Sequence, residues 1–193
     1  MIHMLTVALL VVGLQDGKKD ERAKMDEPVK DFKLKDVMQD EEKFFSLSDY
    51  KDRKAVVLFF VSDKCAVTWA YERRIGRLFE DFRKQDVAFL GISSGANDTP
   101  EQVRKYCEVK NFDLPVLFDD QGVAAYYDVR MTPIFCVIDK KGVLRFKGGL
   151  DDCQTRDRFR EPDESVKTCY VGDALKAVLD GKEVATREFA AYG

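Results

Sequence analysis

The sequence predicts a mixed α/β domain, one sheet with helices on both faces that closes with a β-hairpin and a helix. Three observations carry this. Two runs are apolar throughout, Ala55–Val61 and Val87–Ile92, and each has the length of a strand buried on both faces. Between them Val67, Trp69, Ala70, Ile75, Leu78, Phe79 and Phe82 recur at spacings of three and four, the period of a helix with one buried face. Downstream, Pro133–Ile138 and Val143–Phe146 flank Asp139-Lys140-Lys141-Gly142, a hairpin with a glycine in its turn. Alternation of strand and helix requires parallel strands with crossovers, and the hairpin adds antiparallel ones.

The remaining elements follow in order. Residues 29–34 alternate apolar and polar, a short half-exposed strand, and 38–43 is a polar turn. Thr99-Pro100-Glu101 starts a helix that runs to Val109, with threonine as cap and proline in the first turn. Residues 114–118 read as a strand and 123–127 as a short helix. Residues 151–167 are polar and contain Pro162, a surface insertion. Val171, Ala174, Leu175, Val178 and Leu179 give a last amphipathic helix that stops at Gly181, and 183–193 form a tail.

Ahead of the 29–182 domain, residues 17–28 are charged and end in Pro28, as a linker would. Met4–Leu14 is an apolar run of eleven residues, too short to cross a bilayer as a helix but suited to the centre of an export signal spanning 1–16. No Lys or Arg precedes it, so a buried or frayed N-terminal helix is the competing reading. The first reading sends the protein to the periplasm or cell envelope rather than the cytoplasm.

Composition narrows the chemistry. The 193 residues carry 32 Lys and Arg against 35 Asp and Glu, a net charge of -3, which argues against nucleic acid as a partner. The one histidine, His3, stands before the domain and cannot serve a Cys/His or Ser/His relay within it. Of the five cysteines (65, 107, 136, 153 and 169) no two stand at zinc-ligand spacing, and nothing calls for a metal or a cofactor. Chemistry here rests on a thiol acting without an imidazole.

Several segments in sequence order resemble the redoxin branch of the thioredoxin superfamily, which includes the alkyl-hydroperoxide-reductase/thiol-specific-antioxidant group. They are Val29-x-Asp31-Phe32-x-Leu34-x-Asp36, Leu47-Ser48-Asp49-Tyr50-Lys51, Val129-Arg130-Met131-Thr132-Pro133 with its hairpin, and Lys147-Gly148-Gly149-Leu150-Asp151-Asp152. The likeness covers about residues 26–182 and implies a thioredoxin-like fold. It also implies a cis Thr132-Pro133 peptide and thiol-dependent oxidoreductase activity. The family's Cys-x-x-Cys reads Ser62-Asp63-Lys64-Cys65 here, so no dithiol exists in that motif. Ser-x-x-Cys is similar to the Thr/Ser-x-x-Cys of peroxiredoxins, in which the cysteine attacks a peroxide, although Ala66 replaces their usual proline.

The resemblance makes Cys65 and Ser62 the catalytic candidates. Cys65 in the first turn of a helix has its thiolate stabilised by unpaired N–H groups and the helix dipole, unless it is buried and inert. Ser62 either caps the helix or orients a substrate. Thr132 and Pro133 present a backbone edge to a substrate, and Arg130 pairs with an anionic substrate, with the thiolate, or with a surface acid. Cys136 and Cys107 read as structural, and Trp69 as core or as a lid over the thiol. Cys153 and Cys169 flank the insertion and either form a disulfide or leave Cys153 to resolve an oxidised Cys65. Implied partners are a small-molecule peroxide or a protein thiol or disulfide, together with an external thiol reductant. The alternative is a redox-inactive binding module using the surface around Pro133.

Overall fold

The computed structural model describes residues 21–39, 42–110, 112–153 and 166–191. The apolar run at 4–14 lies outside them, as do residues 154–165 of the insertion. No helix among the described residues is long and apolar enough to cross a membrane.

The centre of the sheet is β3 (Ala55–Val61), whose seven residues are all buried. It pairs in parallel with β4 (Val87–Ser93), which pairs in parallel with β5 (Val116–Phe118). On its other side β3 runs antiparallel to β6 (Ile134–Asp139), and β6 to β7 (Leu144–Gly148). The turn between these two places Gly142 at φ 74°, a conformation that glycine adopts without steric cost. With β1 (Lys33–Asp36), β2 (Phe44–Ser46) and β8 (Glu188–Phe189), the eight strands order β2-β1-β5-β4-β3-β6-β7-β8.

Period-two alternation sends each half of β3 to a different layer. Ala55, Val57, Phe59 and Val61 pack against α1 (Ala66–Arg83) and α4 (Tyr170–Leu179). Val56, Leu58 and Phe60 pack on Val123 and Tyr127, at α3 (Val123–Tyr126), and on Leu47. Glu72 of α1 pairs with Lys110 at the end of α2 (Pro100–Val109), which sets α1 and α2 side by side. α2 carries the expected cap, Thr99 Oγ1 accepting from the Gln102 N–H with Pro100 in the first turn. The mixed sheet with helices on both faces is the architecture the sequence predicts.

Four stretches depart from expectation. Residues 21–28 lie on the domain: the Ala23 N–H donates to the Tyr126 carbonyl, Asp26 accepts from Arg145 and Arg187, and Pro28 bridges Val143. Composition hides this because the charges are spent on ion pairs across the chain. Residues 44–46 form a strand opposite β1, on a sheet edge where half-exposed Phe and Ser give no long apolar run. The insertion begins inside the protein, with Asp151 buried against Arg74 at 3.0 Å and Cys153 buried beside it. The tail adds β8 in parallel to β7, where a Cβ on Gly148 would overlap the Phe189 backbone.

Candidate functional site

The site lies at the carboxyl end of β3, where the chain turns through Ser62-Asp63-Lys64 into α1. Cys65 is the helix N-cap, with extended backbone (φ -84°, ψ 108°) and its N–H donating to the Ser62 carbonyl at 3.2 Å. The β3–β6 register ends at Phe60 opposite Ile134, so the chain just before β6 meets the turn just after β3. The result brings Cys65, Thr132 and Pro133 together: the Cys65 thiol donates to the Thr132 carbonyl at 2.9 Å, and Thr132-Pro133 is cis.

Cys65 is half-buried, and its environment divides cleanly. Burial pushes the thiol up. Hydrogen bonding from the side chains of Thr132 and Thr68, and from the backbone N–H groups of Thr68 and Val67, outweighs it and sets Cys65 below the ordinary thiol value. These backbone groups are unpaired donors of the first helical turn, where the helix dipole also favours an anion. The Thr68 hydroxyl is buried and has no hydrogen-bond partner beside the neutral thiol. A carbonyl accepts only from a protonated sulfur, so ionisation exchanges the Thr132 contact for the donors of Thr68 and Val67.

Ser62 does not cap α1, because the helix starts at Ala66 and Cys65 holds the N-cap position. Its hydroxyl donates to Asp98 Oδ1 at 3.3 Å and accepts from the Lys64 N–H at 3.4 Å. Asp98 is the hub of this turn. It is almost fully buried and also accepts from the Ser93 hydroxyl and the Gly95 N–H, with Lys64 Nζ at 3.7 Å. Burial, a hydrogen bond to Asp98 and the Asp98 charge together push the Asp63 carboxyl up, and Lys64 opposes them. Nothing in the local pattern marks Asp98, since the partners that tie it to this turn, Ser62 and Lys64, stand more than thirty residues upstream.

Arg130 is exposed and bonds Asp128 at 3.0 Å, one of the three fates its position allows and the one without a role at sulfur. Cys153 is held by its backbone, the N–H donating to Asp151 and the carbonyl accepting from the Tyr71 hydroxyl at 2.6 Å. Cys169 caps α4, and burial pushes its thiol up. Cys65 and Cys169 are free thiols in this structure, so neither the 153–169 disulfide nor a 65–153 bridge is formed. Cys136 and Cys107 are fully buried and their thiols are pushed up by burial, as core residues. Trp69 is not core: it is 38% exposed. No group of His, Cys, Asp and Glu among the described residues could hold a metal.

A mixed sheet of this order, with a cysteine starting the helix after its central strand and facing a Thr–cis-Pro peptide, defines a thioredoxin-like domain. The chain belongs to the AhpC/TSA family, which it matches over residues 25–147. It is 26% identical over 136 residues to the thioredoxin-like protein YneN of Bacillus subtilis (strain 168), covering 69% of this chain and 71% of that protein. A hypothetical protein of Sinorhizobium meliloti 1021 has the same fold in its crystal structure, with a TM-score of 0.75 at 24% identity over 88% of this chain and 92% of that one. Peroxidoxin BcpB from Mycobacterium tuberculosis is similar at a TM-score of 0.54 and 27% identity, over 65% and 85% of the two chains.

Proposed function

We propose that Cys65 is the reacting group of a single-thiol oxidoreductase that exchanges with protein thiols and disulfides. The observation that carries this is the half-buried sulfur at the start of α1, against the Thr132 carbonyl and within reach of the unpaired N–H groups of Val67 and Thr68. The thiolate attacks one sulfur of a substrate disulfide. A bond forms between Cys65 Sγ and that sulfur, the substrate S–S bond breaks, and the departing thiolate takes a proton from solvent. Ser62 has no thiol with which to release the mixed disulfide, so an external thiol reductant completes the cycle. Thr132 and Pro133 line the approach to sulfur and offer backbone to an extended substrate. In this reading Ser62 is a positioning residue that anchors the turn through Asp98.

Family membership favours a second reading, reduction of a small peroxide. The Cys65 thiolate attacks an oxygen of the peroxide, an S–O bond forms as the O–O bond breaks, and the leaving oxygen takes a proton. The sulfenic acid then condenses with an external thiol, losing water. The pairing of Arg130 with Asp128 rather than with sulfur weighs against this reading. The apolar run at 4–14 supports export, where protein disulfides are available as substrates.

Mass mapping decides between these. Reduced protein is treated in parallel with glutathione disulfide and with one equivalent of hydrogen peroxide. A glutathione adduct on Cys65 with slow peroxide oxidation is the expected result. Fast oxidation of Cys65 by peroxide favours the second reading, and an unmodified Cys65 in both arms leaves the surface around Pro133 as a redox-inactive binding module.

A further inference from the structure

Exposed apolar side chains are not scattered over this protein. Among the described residues four large ones are exposed; two of them, Trp69 at 38% and Val109 at 74%, line one cavity, and a third, Met131 at 43%, adjoins the Thr132 that faces the thiol. Met131 immediately precedes Thr132. Trp69 stands one helical turn beyond Cys65, its N–H bonded to the Cys65 carbonyl at 3.4 Å. Trp69 and Val109 line a cavity of about 500 Å³ between α1 and α2, with Tyr106 in its wall and Asp63 at its edge. A peroxide needs no such space, whereas about 300–1,000 Å³ is the range of pockets that bury a small organic ligand. Apolar surface of this kind, rimmed by polar groups, marks a contact site.

The rim is basic. Lys105 and Lys110 line the cavity, and the Lys110 ammonium lies 5.8 Å from the Trp69 ring centre. Lys110 is paired with Glu72, but Lys105 has no carboxylate within 4.0 Å among the described residues. The lining therefore joins an aromatic wall to an uncompensated cation.

We propose that this cavity is the specificity pocket for the substrate polypeptide, and that it takes a large apolar side chain two residues from the substrate's reactive cysteine, followed by an acidic residue facing Lys105. The inference rests on the exchange reading above and names the substrate class for it. The spacing follows from geometry. One helical turn, about 5.4 Å, separates Cys65 from Trp69. In an extended substrate, residues i and i+2 lie about 6.6 Å apart on one face, so a cysteine at sulfur puts the residue two positions away over Trp69. The next residue on that face, at i+4, reaches Lys105, which stands one turn before Val109 on α2.

Trp69 is the single tryptophan of the chain, so its fluorescence reports occupancy of the pocket. The full chain carrying Cys65→Ser is titrated with a peptide of pattern Ser-x-Phe-x-Glu, serine standing for the substrate cysteine. The expected result is a saturable change in Trp69 emission that weakens at least tenfold when Phe is replaced by Ala, and at least fivefold when Glu is replaced by Lys. Val109→Asp and Lys105→Glu alter exposed positions and are expected to weaken the Phe/Glu peptide by similar factors. No emission change, or equal affinities for the three peptides, overturns the pocket. The outcomes separate from those of the thiol chemistry. A glutathione adduct on Cys65 without a fluorescence response sinks the pocket and keeps the exchange reading. A selective response without an adduct keeps the pocket and sinks the exchange reading.

Discussion

Replacing Thr68 with valine removes one hydroxyl and keeps the branched shape of the side chain. That hydroxyl is buried, unpartnered beside the neutral thiol, and is a donor to the Cys65 thiolate. A hydrogen bond to a charged group contributes about 1.5–3 kcal/mol. Cys65 is half-exposed, so solvent replaces part of this, leaving about 1.4 kcal/mol, roughly tenfold in the thiolate fraction at a pH below the titration midpoint. The remaining thiolate is more basic and more nucleophilic, and a Brønsted coefficient of about 0.4–0.5 recovers nearly half of that factor on a logarithmic scale. Alkylation of Cys65 by iodoacetamide should therefore slow about three- to fourfold at low pH, with the midpoint of the pH–rate profile displaced upward. The rate is read on the Cys65 peptide by mass spectrometry, so the other four thiols do not contribute. Folding stability should be unchanged or slightly raised, because a buried hydroxyl without a partner costs free energy in the neutral site. Superimposable pH–rate profiles for the two proteins would refute the assignment of Thr68 as a donor to the thiolate.

Asp151→Asn leaves the Arg74 guanidinium buried without its carboxylate, with Nε and Nη2 already unpartnered. Breaking a buried pair costs about 3–5 kcal/mol, or about 6–20 °C in Tm for a chain of this size, and adding Arg74→Met should recover part of it in the same melting experiment. Asp63 has a folded pKa raised by burial and by Asp98, so its ionisation opposes folding. The neutral form's contribution is complete below the unfolded value of 3.8 and is lost as pH rises through the folded pKa. Asp63→Asn should thus stabilise the protein at pH 7, and the advantage should close below about pH 4 in urea titrations; an advantage that grows on acidification contradicts the sign. Gly148→Ala puts a Cβ into the Phe189 carbonyl and should detach β8 at a cost of about 1–3 kcal/mol. Hydrogen exchange at Gly149, which donates to Phe189, would register it.

The sheet was legible because its central strands are coded by composition alone. Ala55–Val61 is apolar at every position since both faces are covered, and the helix after it shows its buried stripe in Val67, Ile75, Leu78 and Phe82. The meeting of Cys65 with Thr132 was legible through the resemblance of Thr132-Pro133 to a known loop. What local pattern could not carry is contact between distant segments. Asp98 gathers Ser62 and Lys64 from 36 and 34 positions away, and Arg74 meets Asp151 across 77. Neither acid differs locally from a solvated one. Thr68 was hidden for a related reason: its importance comes from being the third residue after a cap, and Ser62 rather than Cys65 looked like that cap. Trp69 reads as core by its helical phase, but the cavity beside α2 leaves it in contact with solvent.

The central claim is that the first turn of α1 stabilises an anionic Cys65. Thiolate absorbance near 240 nm, recorded against pH for the native chain and for Cys65→Ser, isolates this ionisation in the difference curve. The account predicts a single transition with a midpoint below that of an unperturbed thiol. A difference that appears only at higher pH would mean that burial and the Thr132 carbonyl keep the proton on sulfur, and it would contradict the account.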